Sequence, residues 1–351
     1  MQNFAEIQAL MKSELELMDK ILVNRLDTNV DLISQMSHYI INSGGKRIRP
    51  LLLLLCAKAT DYDGDYHYSM AVVIELIHTA TLLHDDVVDQ SSTRRGQETA
   101  NELWGNAPSV LVGDFLYSRA FEIMVEPNSM AIMKILSKAT NQISEGEVLQ
   151  LLNIKNANVT QSEYFQVIER KTACLFKAAC QIAGILSGSN QNIIEALGSF
   201  GMHLGNAFQV IDDTLDYESN ALIIGKEIGD DLSEGKVTLP MIYALEKTSG
   251  SENKMLSNAI KQADSSNIES IVEILLNVDA FNYSRNIARE QSAKAIESLD
   301  LIPSSEYKSA FELQSEEKFT LNILDSESLK LPYWLMNSEE LESLFIEGNE
   351  N

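Results

Sequence analysis

Alternation of apolar and polar residues at the strand period is nearly missing from this chain of 351 residues, which removes sandwiches, barrels and alternating α/β sheets from consideration. Cysteine is scarce. Cys56, Cys174 and Cys180 have no metal-type spacing, and an odd count argues against a disulfide framework, so they read as reduced core residues. Proline is equally thin, and Pro50, Pro108, Pro127, Pro240 and Pro303 fall at or near expected helix starts and connections, where a missing N–H does least harm. No apolar run approaches the about 20 residues that span a bilayer; the five leucines at 51–55 are soon followed by Lys58 and Asp61. The N-terminus carries acid where a secretory signal would carry a basic segment and an apolar run, so the expected location is cytoplasmic. Basic residues are also in the minority, 27 against 51 acidic for a formal charge of −24. Such a balance excludes nucleic acid as a partner and makes the few basic clusters informative.

What is present is helical period. Stretches at about 4–24, 28–42, 50–60, 69–90, 108–124, 129–152, 161–188, 191–217 and 237–247 repeat apolar residues at helix spacing. With 45% hydrophobic residues there is enough for a large core. The expected fold is all-α, followed by an atypical acidic tail over 311–351. In that tail Ser338, Glu339 and Glu340 open a candidate short helix with Leu341, Leu344 and Phe345 on its apolar face. Residues 70–84 are apolar almost all the way round, which marks a helix enclosed by others.

Two aspartate clusters stand out, Asp85-Asp86-Val87-Val88-Asp89 and Asp212-Asp213-Thr214-Leu215-Asp216. Within each, the outer aspartates are four apart, so on a helix they project from one face about 6 Å apart along the axis. Ionised carboxylates so placed repel each other and persist only with compensating positive charge, and all-oxygen ligands select a hard cation such as Mg2+. Mg2+ usually shares its shell with phosphate oxygens, so the implied ligand is a diphosphate held between two helices.

A diphosphate site also needs cations from the protein. Gly44-Gly45-Lys46-Arg47-Ile48-Arg49-Pro50 places three positive charges after a glycine pair and ahead of a helix, where backbone N–H groups favour anions. Arg94 and Arg95 lie a few residues past Asp89, and guanidinium groups bind phosphate bidentately. Lys171, Lys226 and Lys236 lie in R-K-T-A, I-G-K-E-I-G and E-G-K-V-T-L-P; taken singly each reads as a surface lysine. His78 is two turns before Asp85 on the same face, and Gln209 three residues before Asp212.

G-G-K-R-I-R-P, L-L-H-D-D-V-V-D, R-R-G, G-E-V-L-Q-L, K-T-A, F-Q-V-I-D-D-T-L-D and G-D-D-L-S-E-G-K-V-T-L-P follow one another in that order, inside a stretch of resemblance that runs from roughly residue 4 to 305. Together they resemble the trans-isoprenyl (polyprenyl) diphosphate synthases, most closely the bacterial octaprenyl diphosphate synthases that make quinone side chains. The resemblance implies an isoprenoid-synthase-type bundle, a single domain over 1–310 with helices around a central cavity, that condenses isopentenyl diphosphate head-to-tail onto an allylic diphosphate, with farnesyl diphosphate as starter and a homodimer as assembly. It implies that Asp85, Asp89, Asp212 and Asp216 hold Mg2+, about three ions, with Asp86 and Asp213 in support. Arg94, Lys171, Lys226 and Lys236 would clamp the allylic diphosphate. Lys46, Arg49, His78 and Arg95 would bind isopentenyl diphosphate, and Thr172 and Gln209 would lie beside the developing allylic cation.

Product length is expected from geometry. Ala80 and Thr81, five and four residues before Asp85, are small, and Phe or Tyr there would close a channel below the metals, so a long product is expected. Ile77 would lie deeper, with Met133 or Leu136 as candidate floor. Three readings compete: a shorter-chain farnesyl or geranylgeranyl synthase, a silent subunit, which would usually lack one aspartate cluster, and a di-metal carboxylate bundle. The last needs two Glu-x-x-His motifs, and only Glu75-Leu76-Ile77-His78 occurs.

Overall fold

A stretch with apolar residues on every face can satisfy them only from the inside, and residues 66–88 accordingly run through the middle of the molecule. The computed structural model describes residues 4–43, 45–94, 97–218 and 229–314. Chain order is α1 (Phe4–Leu10), α2 (Lys12–Arg25), α3 (Asp31–Asn42), α4 (Ile48–Ala59), α5 (Tyr66–Val88), α6 (Ala100–Trp104), α7 (Asn106–Met124) and α8 (Met130–Asn153). There follow α9 (Gln161–Ile168), a π-helical turn (Glu169–Ala173), α10 (Cys174–Leu186) and α11 (Gln191–Glu218). The last helices are α12 (Asp230–Ser233), α13 (Leu239–Lys247), α14 (Gly250–Gln262), α15 (Ile268–Asn277), α16 (Ala280–Ser298) and α17 (Glu306–Gln314). A two-residue antiparallel pair, Thr93–Arg94 with Gln97–Glu98, is the only sheet among the described residues.

Ala71, Val72, Val73, Ile74, Leu76, Ile77 and Ala80 of α5 are fully buried, as are all five leucines of α4. Each large aliphatic side chain so enclosed contributes about 1.5–3 kcal/mol, which fixes α5 between α4 and α7. α10 lies against α4 on one side and α11 on the other, and α11 in turn carries α16. A second cluster, including Tyr217, Leu232, Met241, Ile260, Leu275 and Phe281, holds the C-terminal helices together. The three cysteines are free and buried, as expected.

Both aspartate clusters occupy the C-terminal ends of their helices: α5 stops at Val88 with Asp89 as its cap, and α11 at Glu218. Unpaired carbonyls already make that end negative. Carboxylates added there raise the demand for cations beyond what their mutual repulsion requires.

The expected helical stretches recur within a few residues, with two departures. The stretch at 161–188 is interrupted by the π turn, and the polar segment after Asp89 contains the small strand pair. Arg95, Lys226 and the tail from 315 onward, including the candidate helix near Leu341, lie outside the described residues.

Candidate active site

The ends of α5 and α11 open onto one cavity of about 480 Å³. Asp85 and Asp89 line it from α5, Asp212, Asp213 and Asp216 from α11. Lys46, Arg49, His78, Thr81, Arg94, Lys171, Thr172, Gln209 and Lys236 share the same wall. The folded chain therefore brings to one hollow nearly every described residue that the sequence nominated.

Lys171 reaches Asp85 from the π turn, with Nζ 3.3 Å from Oδ2, and donates to Glu147 Oε2 at 2.7 Å. A π turn inserts one extra residue and re-aims its side chains, a device frequent at functional sites. α8 can pass this close because residue 146 is glycine: a Cβ there would stand 2.7 Å from the Lys171 backbone nitrogen. Burial disfavours the Lys171 ammonium, but Asp85 and Glu147 outweigh it and hold its pKa above the ordinary value.

Lys236 reaches the same cluster from the other side, donating to Asp89 Oδ2 at 2.8 Å and to Glu234. Its placement follows from how α12 ends. Gly235, at φ 79°, follows the last turn; its N–H bonds to Leu232 O at 2.9 Å and the Lys236 N–H to Asp231 O at 2.8 Å. This 5→2 and 6→1 pairing is the Schellman helix stop, which a residue with a side chain would strain. Burial again opposes the ammonium, yet Asp231, Asp89 and Glu234 keep its pKa well above normal. The start of α12 is tied to α11, with the Asp231 N–H donating to Asp216 Oδ2 at 3.3 Å.

Arg94 donates through Nε and a terminal nitrogen to Asp86 Oδ1, both at 2.7 Å. Asp86 thus turns away from its two neighbours and holds the strand pair. In the second cluster Tyr164 donates to Asp213 Oδ2 at 2.6 Å and Gln209 to Oδ1 at 2.7 Å, while Thr172 donates to Gln209 Oε1 at 2.8 Å. Burial and the Asp231 carboxylate push Asp213 upward against these two donors. The network fixes the orientation of the Gln209 amide beside Thr172.

Sequence reasoning passed over Glu147, Tyr164, Asp231 and Glu234, and named Arg47 and Glu75 without pairing them. Burial first and the nearby Asp85 carboxylate second push the Glu147 carboxyl up to about 7, against the pull of Lys171. Its Oε1 is buried without a hydrogen-bond partner among the described residues. Glu147, Asp231 and Glu234 lie inside G-E-V-L-Q-L and G-D-D-L-S-E-G-K, so their motifs were visible and their roles were not.

Ala80 and Thr81 stand differently in the structure: Ala80 is fully buried, while Thr81 lines the cavity. Five residues before Asp85 is about 140° away around a helix, whereas four residues is about 40°. Ile77 and Leu136 are likewise fully enclosed, and neither they nor Met133 line the cavity. Small side chains alone do not leave a channel, because interiors close around them to crystal-like density. His78 meets Arg49 on the cavity wall: its Nε2 lies 3.0 Å from Arg49 NH1, and since guanidinium only donates, this nitrogen accepts.

The donor set fits divalent cations. Among the described residues no three carboxylate, imidazole or thiol groups converge on one point, so each aspartate pair would leave several coordination positions to water and phosphate, as Mg2+ prefers. The orphaned Glu147 oxygen beside Asp85 would gain from the added charge. Lysines now resting on Asp85 and Asp89 could transfer to diphosphate oxygens when cations replace them on the carboxylates.

Comparison with known proteins agrees with this geometry. Residues 30–276 match the family model for polyprenyl synthetase. The chain is 42% identical over 309 residues to octaprenyl diphosphate synthase of Escherichia coli (strain K12), covering 88% of this chain and 96% of that protein. It is 41% identical over 306 residues to an all-trans-nonaprenyl-diphosphate synthase of Rhodobacter capsulatus, covering 87% and 94%. Among solved structures, a Caulobacter crescentus polyprenyl synthase complexed with calcium and isoprenyl diphosphate superposes with a TM-score of 0.86 at 37% identity, covering 90% of this chain and 96% of that one. A paired-aspartate cavity, its surrounding lysines and arginines and this breadth of similarity lead to one conclusion: the chain is a prenyltransferase belonging to the polyprenyl synthetase family.

Proposed function

We propose that this enzyme is a long-chain trans-polyprenyl diphosphate synthase that extends an allylic diphosphate, farnesyl diphosphate as starter, with isopentenyl diphosphate, and that its product is octaprenyl diphosphate for quinone side chains. The observation that carries the proposal is the convergence of both aspartate pairs and the basic groups on one cavity. Asp85, Asp89, Asp212 and Asp216 would hold Mg2+, about three ions, which when bound supply Lewis-acid neutralisation of the diphosphate leaving group. Lys171, Lys236 and Arg94 would pair with its remaining oxygens, and Lys226, by its motif, with them. Such fixed charges favour ionisation because they already point where negative charge accumulates.

Lys46 and Arg49 would bind the second diphosphate, with Arg95 by its motif. Thr172 and Gln209 would border the carbon that becomes positive, with the Gln209 oxygen held by the Thr172 hydroxyl. No protein nucleophile is required, since the proton lost in forming the new double bond can pass to the departing diphosphate. Incubating the purified enzyme with Mg2+, labelled isopentenyl diphosphate and farnesyl diphosphate, then sizing the dephosphorylated products, tests this directly. Eight-unit products are expected, and Asp85→Ala and Asp212→Ala should each cost at least about a hundredfold in turnover. Full turnover in both variants would refute the metal assignment.

Two finer proposals accompany it. A homodimer is supported by large apolar side chains left exposed on α7 and α8, among them Leu111 at 66% and Leu152 at 71%; sedimentation at micromolar concentration checks it. A cytoplasmic location agrees with the finding that no helix among the described residues is long and apolar enough to cross a membrane, and cell fractionation checks that.

A further inference from the structure

We propose that Arg47 is the positioning residue of the basic loop, with Glu75 as its buried counter-ion, and that it is not a phosphate ligand although it lies between Lys46 and Arg49. The inference rests on reading this loop as the isopentenyl diphosphate site. Arg47 caps the N-terminus of α4 in the left-handed region, at φ 48° and ψ 34°. A residue with a side chain stays there only when its surroundings compel it. Here the compulsion comes from its own guanidinium. NH1 donates to the Glu75 carboxylate on α5, NH2 donates to Ile41 O on α3 at 3.0 Å, and Nε lies 3.5 Å from Asp19 Oδ1 on α2. Two of the three nitrogens are thus hydrogen-bonded to acceptors on two helices, and the third stands within ion-pair distance of a carboxylate on another.

Only 15% of the Arg47 side chain and 7% of the Glu75 side chain are exposed. Lysine could not replace the fork, because its donors radiate from a single atom and cannot reach three separated acceptors. The second anchor lies one turn along α5. His78, three residues after Glu75, accepts from Arg49, whose guanidinium carbon stands 4.7 Å from the centre of the Phe176 ring. Glu75 and His78 therefore grip alternate residues of Arg47-Ile48-Arg49. This two-point attachment sets the height of Lys46 and Arg49 on the cavity wall, and it gives the lone Glu-x-x-His motif a purpose unrelated to metal.

Steady-state kinetics of Arg47→Lys and Arg49→Lys, with each substrate varied in turn, tests the assignment. Arg47→Lys should raise KM for isopentenyl diphosphate at least about tenfold while KM for the allylic diphosphate and kcat stay within about twofold. Arg49→Lys should raise the same KM by direct loss of contact. If Arg49→Lys raises it and Arg47→Lys does not, the positioning role is overturned and the binding-site reading stands. If neither does, the binding-site reading itself has failed. Equal changes in both KM values for Arg47→Lys would mark a general structural defect and also overturn the role. A buried charge left alone can unfold a protein, so a second variant, Arg47→Met with Glu75→Leu, removes both partners together. It should fold and still bind isopentenyl diphosphate at least about tenfold more weakly; wild-type binding in the folded double variant would refute the proposal.

Discussion

Glu147 illustrates how much of this site depends on groups whose motif is visible but whose role is not. Its carboxyl is raised to about 7 by burial and by Asp85, against an ordinary value of about 4.3. Between those values the folded protein keeps a proton that the unfolded chain has released, so the associated stability is complete below the lower value and is lost as pH rises through the upper one. Thermal melts of the metal-free enzyme should therefore show a midpoint that falls between about pH 5 and pH 7.5, and Glu147→Gln should flatten that fall. An unchanged slope in the variant would assign it elsewhere. The aspartate pairs and Gln209 were legible from the chain because local spacing sets which face of one helix they share, whereas Lys171, Lys236 and Thr172 were named only by the resemblance of their motifs. The roles of Glu147, Glu75, Arg47 and Tyr164 were not legible, because each gains its partner only where helices distant in sequence cross. Whether Ala80 borders the path of a product was not legible either, because that depends on packing around a neighbouring turn and not on spacing within one helix.

At the scale of elements, the junction of α8 with the π turn governs whether Lys171 meets Asp85. Gly146 is the contact point, and a methyl group there would press on the backbone of residues 170 and 171. Gly146→Ala should cost about 1–3 kcal/mol of stability by overpacking and, unlike an equally destabilising core change, should also raise KM for the allylic diphosphate. Differential scanning calorimetry beside kinetics separates the two effects. The helices themselves were readable because α4, α5, α7, α8, α10 and α11 carry long apolar stripes whose period survives any packing. The π turn was not readable: the residues Glu169–Ala173 suit an ordinary helix, and only the approach of α8 and α11 distinguishes one geometry from the other.

For the molecule as a whole, Thr81 and Phe208 line the cavity, while Ile77, Ala80 and Leu136 are fully enclosed, so a long hydrocarbon descending past Thr81 would have to displace apolar core. Thr81 shares the face of Asp85, so Thr81→Phe should block the descent of the growing chain and shorten the product, as read by chromatography of the dephosphorylated alcohols. Ala80→Phe should chiefly destabilise, by about 1–3 kcal/mol. The acidic surplus has a further effect at this scale. With a formal charge of −24 over the full sequence, an approaching diphosphate is expected to cross a repulsive fringe before it reaches the lysines and arginines of the cleft. Added sodium chloride contracts that fringe, from a reach of about 30 Å at 0.01 M to about 8 Å at 0.15 M, while the contacts inside the cleft are shielded far less. The specificity constant should consequently climb with moderate salt at fixed free Mg2+, the reverse of an electrostatically guided encounter; a steady decline would mean that the inner cations already dominate at a distance. Capture would then begin only at close range, leaving the enzyme a poor collector of polyanions in dilute buffer and a better one at the ionic strength of a cell.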